Sequence, residues 1–398
     1  MNDLEKKIKT LSNEYFEEIQ AIRRHLHTHP ELSFQEFRTA EFIEGKLIDF
    51  GFENIQRIAG TGVTCLLDGR RKGKNIALRA DMDALPIQEQ NKVDYKSINS
   101  GIMHACGHDV HTSSLLGVAK ILKKLKNEFD GSVKFIFQPG EEKTPGGASL
   151  MIRDGILENP RPTTILGQHV MPLIDVGKVG FRSGKYMASS DEIYLTVKGK
   201  GGHGAMPETF IDPILIASHI LVALQQIVSR NASPKIPTVL SFGNISGRGA
   251  TNVIPDEVAI EGTFRTFDEE WRAEALTLIT KMATGMAESM GASCEVRIEK
   301  GYPYLSNDPV YSDRSRSYAE EYLGAENVVN LDLWMASEDF AFYSQQIDAC
   351  FYRLGTRNET KGIISGVHTA TFDIDEEALK VGMGLMSWLT IKELSDHR

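Results

Sequence analysis

The chain has 398 residues, more than one hydrophobic core normally organises, so two domains are expected. Apolar residues make up 41% and charged residues 25% of the sequence, as in ordinary globular proteins. The net charge is −10, and the longest basic run is Arg70-Arg71-Lys72. Nucleic acid and anionic membranes are therefore poor candidates as partners.

The N-terminal segment and the cysteines both predict a cytoplasmic location. Residues 1–10 are charged and polar and lack the apolar core of a signal peptide. No stretch approaches the roughly 20 apolar residues that span a bilayer. The four cysteines, at positions 65, 106, 294 and 350, lie far apart in the sequence. This spacing argues against a disulfide framework and fits a reducing compartment.

The first 170 residues alternate between helical and strand patterns. Apolar residues three and four apart predict an amphipathic helix over residues 4–29 and a second helix over about 34–50. A third helix, rich in Leu, Ala and Lys, is expected at about 110–127. Short apolar runs predict strands at 62–67, 75–79, 132–137 and 164–169. Strands that alternate with helices indicate an α/β domain with a mostly parallel sheet.

From about residue 186 the pattern changes. Residues 191–198 alternate as a half-buried strand does, and the elements that follow complete the order β-α-β-β-α-β of a small ferredoxin-like α+β sandwich. The later elements are predicted at about 211–230 (helix), 237–247 and 256–267 (strands), 268–290 (helix) and 293–299 (strand). The sequence therefore predicts one domain over 1–185 and 302–398, with a second domain over 186–301 inserted into it.

Four separate segments place metal-competent side chains at the end of an apolar run or in a turn. They are His104-Ala-Cys106-Gly-His108-Asp109-Val-His111, Glu141-Glu142 after the run 133–137, His169 after the run 165–168, and Gly366-Val-His368-Thr. Sites in open α/β sheets form at the carboxyl ends of the strands, so these side chains are expected to converge. Imidazole, carboxylate and one thiolate suit divalent ions such as Zn²⁺, Mn²⁺, Co²⁺ or Ni²⁺.

The two neighbouring glutamates are expected to have different roles, because adjacent glutamates do not easily ligate one ion. Glu142 is predicted to bind metal, and Glu141 to hold the attacking water and take its proton. The metal ions would lower the pKa of that water and polarise the scissile carbonyl. A Glu-Glu pair is ordinarily solvated surface. Directly after a fully apolar run, however, a charged pair is costly without a partner.

Three further polar residues have alternative interpretations. His111 follows His108 by three residues and is expected to support a ligand rather than to be one. Asp81 and Asp83 follow the predicted strand 75–79. One of them would orient a metal-binding histidine, or both are acids of a surface turn.

The sequence carries a series of motifs in a fixed order. They are Arg23-Arg-His-Leu-His-Thr-His-Pro-Glu31, Arg79-Ala-Asp-Met-Asp-Ala-Leu-Pro86, His104-Ala-Cys-Gly-His-Asp109, Phe137-Gln-Pro-Gly-Glu-Glu142, Gly199-Lys-Gly-Gly-His-Gly-Ala-Met-Pro207, Thr251-Asn-Val-Ile-Pro255, Gly262-Thr-Phe-Arg-Thr266, Ser337-Glu-Asp-Phe340 and the turn at His368. Over essentially its whole length the chain resembles the hippurate-hydrolase and N-acyl-amino-acid amidohydrolase branch of the two-metal aminoacylase/carboxypeptidase superfamily. Plant auxin-conjugate hydrolases belong to the same branch.

The resemblance implies a di-metal exopeptidase-like catalytic domain with an inserted lid that mediates homodimerisation. It implies two divalent metal ions per chain, with Glu141 as general base. It implies that His203 on the lid stabilises the oxyanion and that Asn252 and Arg265 face the substrate. The implied metal ligands are Cys106, His108, Glu142, His169 and His368. The wider superfamily usually has a His-x-Asp unit where this chain has Asp81-Met-Asp83, which leaves the metal's identity and the occupancy of the second site open.

The expected activity is hydrolysis of an N-acyl amino acid, hippurate-like or N-acetyl, to a carboxylic acid and a free amino acid. The nearest alternative is a dipeptidase or carboxypeptidase that uses the same centre on small peptides. A different mechanism makes Cys106 a nucleophile with His108 as its base. A third possibility is a non-enzymatic metal-binding protein. Glu141 beside Glu142 argues against it, because binding alone does not need a spare base.

Overall fold

The computed structural model describes residues 3–396, so Met1, Asn2, His397 and Arg398, which the predicted domain ranges include, lie outside the described residues. The chain divides into two compact units. Unit 1 comprises the residues up to Tyr186, Ser306–Asp332 and the residues from Asp339 onward, and unit 2 comprises Met187–Leu305 and Leu333–Glu338. Unit 2 thus includes a short segment from late in the chain that the sequence pattern does not distinguish from its surroundings.

Unit 1 contains most of the helices and strands. Before unit 2 they are α1 (Asp3–Glu14), α2 (Phe16–Thr28), α3 (Phe37–Asp49), β1 (Gln56–Ile58), β2 (Gly62–Asp68), β3 (Asn75–Asp81), α4 (His108–Lys124), β4 (Ser132–Gln138), α5 (Gly147–Arg153), β5 (Thr164–Asp175), β6 (Val179–Phe181) and β7 (Gly184–Met187). After it they are β14 (Leu305–Asn307), α8 (Pro309–Leu323), β15 (Val328–Asn330), α9 (Ala341–Ser344), β16 (Asp348–Arg357) and α10 (Ala378–Ser395). The chain enters unit 2 at the end of β7 and leaves it at the start of β14, and it enters unit 2 again only for Leu333–Glu338.

An eight-stranded sheet forms the centre of unit 1, in the order β1-β2-β4-β3-β5-β16-β6-β15. The central strands β4, β3, β5 and β16 run parallel to one another. Antiparallel pairs occur toward the two sides, where β1 pairs with β2, β2 with β4, and β16 with β6. Every residue of β3 is buried, both the apolar run 76–78 and the polar residues Asn75, Arg79 and Asp81. The predicted parallel α/β sheet is confirmed at its centre.

The predicted single helix over 4–29 is wrong. Tyr15 stays in the right-handed helical region (φ −89°), but its ψ of −3° makes a one-residue turn between α1, which ends at Glu14, and α2, which begins at Phe16. The apolar spacing continues across this break, because both helices turn their apolar sides toward the same core. α1 packs on α10 and α2 packs on α4, which is almost entirely buried over the sheet.

Unit 2 is a small two-layer sandwich whose elements follow the predicted order. They are β8 (Asp191–Lys198), β9 (Gly202–His203), α6 (Pro213–Gln226), β10 (Thr238–Ser246), β11 (Val253–Ile254), β12 (Glu257–Thr266), α7 (Glu269–Ser289) and β13 (Ser293–Lys300). Four strands form an antiparallel sheet in the order β10-β12-β8-β13, and α6 and α7 pack on it. Alternate residues of β8 are buried, as the sequence predicts. The inserted ferredoxin-like α+β domain is confirmed.

Helix α6 shows how local sequence sets a helix start. The Asp212 carboxylate accepts hydrogen bonds from the backbone N–H groups of Ile214 and Leu215, and Pro213 occupies the first helical position. The expectation that no stretch is long and apolar enough to span a bilayer is wrong by length and composition. A π-helical turn, Ile227–Asn231, continues α6, and Pro213–Asn231 is the one helix among residues 3–396 that meets this criterion, with 33% of its apolar window buried. Its buried side chains belong to the core of unit 2.

Candidate metal centre

The segment before α4 turns two candidate ligands toward one place. Gly107 has φ +80°, and a Cβ there would lie 2.6 Å from Val170 Cγ2, so only glycine fits. This left-handed residue separates Cys106 from His108, which begins α4. Both side chains are buried.

The candidate ligands converge where β4 ends and α4 begins, beside the middle of β5. The prediction that a strand ends at His169 is wrong, because β5 continues to Asp175. Cys106 Sγ lies 3.4 Å from His169 Nε2, and His368 Nε2 lies 3.2 Å from Glu142 Oε1. Three groups have ligand atoms within 4.8 Å of one another: Cys106–His108–His169, Cys106–Glu142–His368 and His108–Glu141–Glu142. The structure thus brings together all five predicted ligands and the predicted base. That they bind metal stays a prediction.

Two histidines are fixed through one ring nitrogen, which leaves the other directed into this cluster. His108 Nδ1 lies 3.1 Å from Asp83 Oδ1, and His169 Nδ1 donates to the Val170 carbonyl oxygen at 2.8 Å. An oxygen acceptor on one nitrogen sets the tautomer and presents the opposite nitrogen as a ligand. In both residues that opposite nitrogen is Nε2.

Unpartnered buried atoms show that the cluster fits a cation. His108 Nε2 and Glu142 Oε1 are buried and make no hydrogen bond, although His368 Nε2 lies 3.2 Å from the glutamate oxygen. A buried polar atom without a partner is costly. A divalent ion would satisfy both atoms. The donor set of imidazole, carboxylate and thiolate matches borderline divalent metals.

The charges around the cluster favour positive charge inside it. Burial disfavours the charged form of His108, but Asp81, Asp83 and Glu142 outweigh this effect and raise its pKa to about 10. Burial and the nearby carboxylates raise the pKa of the Cys106 thiol. The protein alone therefore holds protons on both residues. Metal binding would release them, because ligands must be deprotonated.

His111 and Asp81 form a supporting pair. Val170 N–H donates to His111 Nε2 at 2.9 Å, so Nδ1 carries the proton and donates to Asp81 Oδ1 at 2.6 Å. Asp81, His108 and His111 also have atoms within 4.8 Å of one another, but both nitrogens of His111 are already used. This agrees with the expectation that His111 supports a ligand. Asp81 and Asp83 are both buried, which excludes the surface-turn interpretation.

Asp81 contacts a buried ion pair, Arg79–Asp339, whose members are far apart in the sequence and which the sequence did not predict. Arg79 donates to Asp81 Oδ2 at 2.6 Å and to Asp339 Oδ1 at 2.7 Å, and the Gln138 amide also donates to Asp339. The backbone N–H of Asp339 lies 3.4 Å from Glu141 Oε1. The one sequence signal for this ion pair was the motif Ser337-Glu-Asp-Phe340, and the motif does not indicate that Arg79 is the partner of Asp339.

His368 occupies a strained backbone position. Its φ is +60°, which non-glycine residues rarely adopt, and its N–H donates to the Ala105 carbonyl oxygen at 2.7 Å. Such positions cluster at functional sites. The bond holds His368 beside the residue that precedes Cys106, and Glu142 raises the pKa of the half-buried imidazole.

The three remaining candidates lie in unit 2. His203 and Asn252 are exposed neighbours, because β9 pairs with β11 and Gly204 N–H donates to the Asn252 carbonyl oxygen at 2.9 Å. Arg265 in β12 is half-buried and donates to the Met335 carbonyl oxygen at 3.0 Å. Within unit 2 these residues form no buried cluster like that of unit 1, and their roles stay predictions.

Comparison with known proteins identifies the family. The sequence model of Peptidase family M20/M25/M40 matches residues 77–390. The chain belongs to this family. This M20-family chain is 44% identical over 302 residues to the N-acyl-L-amino acid amidohydrolase of Geobacillus stearothermophilus, covering 76% of this chain and 81% of that one. It is 37% identical over 393 residues to thermostable carboxypeptidase 2 of Saccharolobus solfataricus, covering 98% and 99%.

A solved structure agrees with the family. The YxeP protein of Bacillus subtilis, described as a dinuclear metal binding peptidase from the M20 family, matches with a TM-score of 0.82 and 35% identity, covering 96% of this chain and 99% of that one. These findings confirm the predicted amidohydrolase resemblance and the catalytic fold with an inserted domain. The M20-family chain is a hydrolase that acts on amide bonds.

Proposed function

We propose that this protein hydrolyses N-acyl amino acids, hippurate-like or N-acetyl, to a carboxylic acid and a free amino acid. The observation that carries the proposal is the cluster of Cys106, His108, Glu142, His169 and His368 beside the buried Glu141. The relative named N-acyl-L-amino acid amidohydrolase, 44% identical, supports this substrate class.

The five clustered residues would hold two divalent ions, chosen from Mn²⁺, Zn²⁺, Ni²⁺ and Co²⁺. Cys106, His108 and Glu142 each belong to two of the three groups, so the groups adjoin one another closely enough for two neighbouring ions. The dinuclear description of the YxeP neighbour supports the number of ions. When bound, the ions polarise the scissile carbonyl and make water more acidic.

Glu141 is the general base in this proposal. It is buried, and its carboxylate lies within 4.8 Å of ligand atoms of His108 and Glu142, where a water between these groups is within reach. Glu141 would take the proton of that water and pass it to the departing amide nitrogen. Asp83 and the Val170 carbonyl hold the imidazoles of His108 and His169 in place during this transfer.

The residues of unit 2 would recognise the substrate. His203 would donate to the oxyanion of the tetrahedral intermediate. Arg265 would bind the substrate carboxylate, since a guanidinium matches it with paired hydrogen bonds, and Asn252 would lie on the same substrate-facing side. The resemblance to N-acyl-amino-acid amidohydrolases supports these three roles.

We further propose a cytoplasmic homodimer formed through unit 2. Strand β10 is an edge strand, and α6 exposes Leu215 (52%) and Val222 (76%). Unpaired strand edges and exposed apolar side chains are surfaces on which chains associate. All four cysteines are free thiols, which suits a reducing compartment. A Val222→Glu variant that leaves the mass in light scattering unchanged would contradict an interface on α6.

A substrate panel tests the activity. The purified protein is analysed for metal and stripped, and each of the four metals is restored before assays on hippurate, N-acetyl amino acids and dipeptides. The proposal expects the highest kcat/KM on an N-acyl amino acid. No hydrolysis of any N-acyl amino acid with any metal would refute it.

Carboxypeptidase activity on small peptides is the second candidate. The relative named thermostable carboxypeptidase 2 favours it, at 37% identity over nearly the whole of both chains. The same panel separates the two. A dipeptide whose kcat/KM exceeds that of its N-acetyl counterpart by tenfold or more would make the peptidase the principal activity.

A further inference from the structure

Two carboxylates hold the segment that carries the proposed base. The backbone N–H of Gly140 donates to Glu36 Oε1 at 2.8 Å. The next two N–H groups, of Glu141 and Glu142, donate to Asp83 Oδ1 at 3.1 Å and Oδ2 at 3.0 Å. Three successive N–H groups directed at two carboxylates form an anion-binding concavity. The orientation of this segment therefore depends on Glu36 as well as on Asp83.

The same oxygen of Glu36 also holds a strained residue. Phe34 has φ +64°, in the left-handed region, and its N–H donates to Glu36 Oε1 at 2.9 Å. Backbone strain of this kind persists only where the surrounding structure enforces it, and it concentrates at functional sites. Gly140 is also left-handed, with φ +56°, and a Cβ there would lie 2.3 Å from Phe34 Cε1. One carboxylate oxygen thus joins two left-handed residues that pack on each other.

Glu36 is an unfavourable residue for stability alone. Its side chain is buried and accepts hydrogen bonds from neutral donors, among them the N–H groups of Phe34 and Gly140 and the Thr61 hydroxyl, at 2.6 Å from Oε2. Burial and the nearby Asp83 raise its pKa to about 7. Burying an acid without a cation is costly, so a carboxylate at this position needs a reason beyond packing.

We propose that Glu36 is a positioning residue for the general base. By accepting the N–H groups of Gly140 and Phe34 on one oxygen, it sets the backbone from which Glu141 projects. The inference rests on the proposed function, in which Glu141 takes the proton of water. The backbone geometry that it concerns can be measured without any substrate.

The test compares two substitutions of Glu36 at saturating metal. Glu36→Ala removes the acceptor and is expected to lower kcat about 10- to 100-fold with a smaller change in KM, since a misplacement of about 1 Å can cost about 10²-fold. Amide hydrogen exchange of the peptide covering 138–146 should become faster. Glu36→Gln keeps a carbonyl oxygen toward Gly140 and is expected to retain most of the activity and protection. Equal losses in both variants would contradict the inference.

Glu31→Ala is the matched control. Its carboxylate accepts the N–H groups of Arg38 at 3.3 Å and Thr39 at 2.9 Å at the start of α3, and none from Gly140–Glu142 in the described structure. The control is expected to lower stability without changing kcat or exchange over 138–146. If Glu36→Ala and the control give the same kcat and the same exchange, the inference is overturned.

If Glu36→Ala does not fold, Thr61→Val is measured in its place, because this change removes only the hydroxyl that donates to Glu36 Oε2. Faster exchange over 138–146 in Thr61→Val supports the inference, and unchanged exchange overturns it. If the wild-type protein cleaves no N-acyl amino acid, the proposed function fails, while the exchange measurement still decides the positioning by Glu36.

Discussion

The candidate residues of unit 1 and those of unit 2 differ in how their side chains are held. In unit 1, His108 and His169 are buried, and each has a hydrogen-bond partner that fixes its orientation. In unit 2, His203 and Asn252 are exposed. A buried polar group needs a partner, so its neighbours reveal what it can do. An exposed residue tolerates many surroundings, so the role of His203 depends on the family resemblance.

The largest expected effect is in unit 1. Glu141→Ala removes the proposed base and should lower kcat by about 10²–10⁴-fold, the range for general-base catalysis. Bound metal should stay at the wild-type level, because Glu141 is not among the five proposed ligands. Metal analysis and steady-state kinetics on the best substrate of the panel measure both. Normal turnover in this variant would remove Glu141 from the mechanism.

The next effect tests the exposed residue of unit 2. His203→Ala should lower kcat by about 10²–10³-fold if the imidazole donates to the oxyanion. Its stability should change by no more than about 0.5 kcal/mol, as for other surface substitutions. Kinetics and urea unfolding of the same sample measure the two. Unchanged kcat would mean that the resemblance does not extend to this residue.

The sequence predicted those elements whose burial leaves a periodic pattern. Residues 75–79 and 132–137 were recognised as strands because each contains the short apolar run of a buried strand, although Arg79 and Lys134 are charged. The two-layer order of unit 2 followed from alternation and helical spacing. The break at Tyr15 escaped detection because the apolar spacing of α1 continues into α2. When two successive helices bury the same side, the turn between them does not change the apolar spacing, so the spacing does not reveal the turn.

The candidate cluster was predictable because each member ends an apolar run or sits in a turn, while its supporting contacts were not. Arg79 and Asp339 are 260 residues apart, and Glu36 and Gly140 are 104 residues apart. No local pattern encodes which distant polar groups will pair. Asp81 and Asp83 were left between two interpretations for the same reason, since the burial that decides between them is a property of the fold.

A smaller effect is expected from the carboxylate that links the parts of the centre. Asp83 accepts from His108, Glu141 and Glu142 and from the Ser33 hydroxyl. Asp83→Asn keeps the shape of the side chain but replaces one carboxylate oxygen by an NH2 group, which cannot accept a hydrogen bond from an N–H donor. Metal affinity should therefore fall about 10- to 100-fold, as for other groups that orient ligands. Calorimetric titration of the stripped protein measures this. Ser33→Ala, which removes one of the donors to Asp83, is the control and should lower metal affinity less. Equal metal affinities in wild type, Asp83→Asn and Ser33→Ala would contradict the orienting role of Asp83.

The smallest expected effect concerns stability and comes from the buried Glu36 of unit 1. Burial and Asp83 raise the pKa of Glu36 from 4.5 to about 7, so between these values the folded state holds a proton that the unfolded chain has released. The proton on Glu36 therefore adds to the free energy of unfolding at low pH, and this stabilisation is lost as the pH rises through about 7. Relative to Glu36→Gln, wild type should lose about 1 kcal/mol of unfolding free energy between pH 6 and pH 8. Urea unfolding of wild type and Glu36→Gln at both pH values measures this loss. A difference in unfolding free energy that is the same at pH 6 and pH 8 would place the Glu36 pKa outside this window.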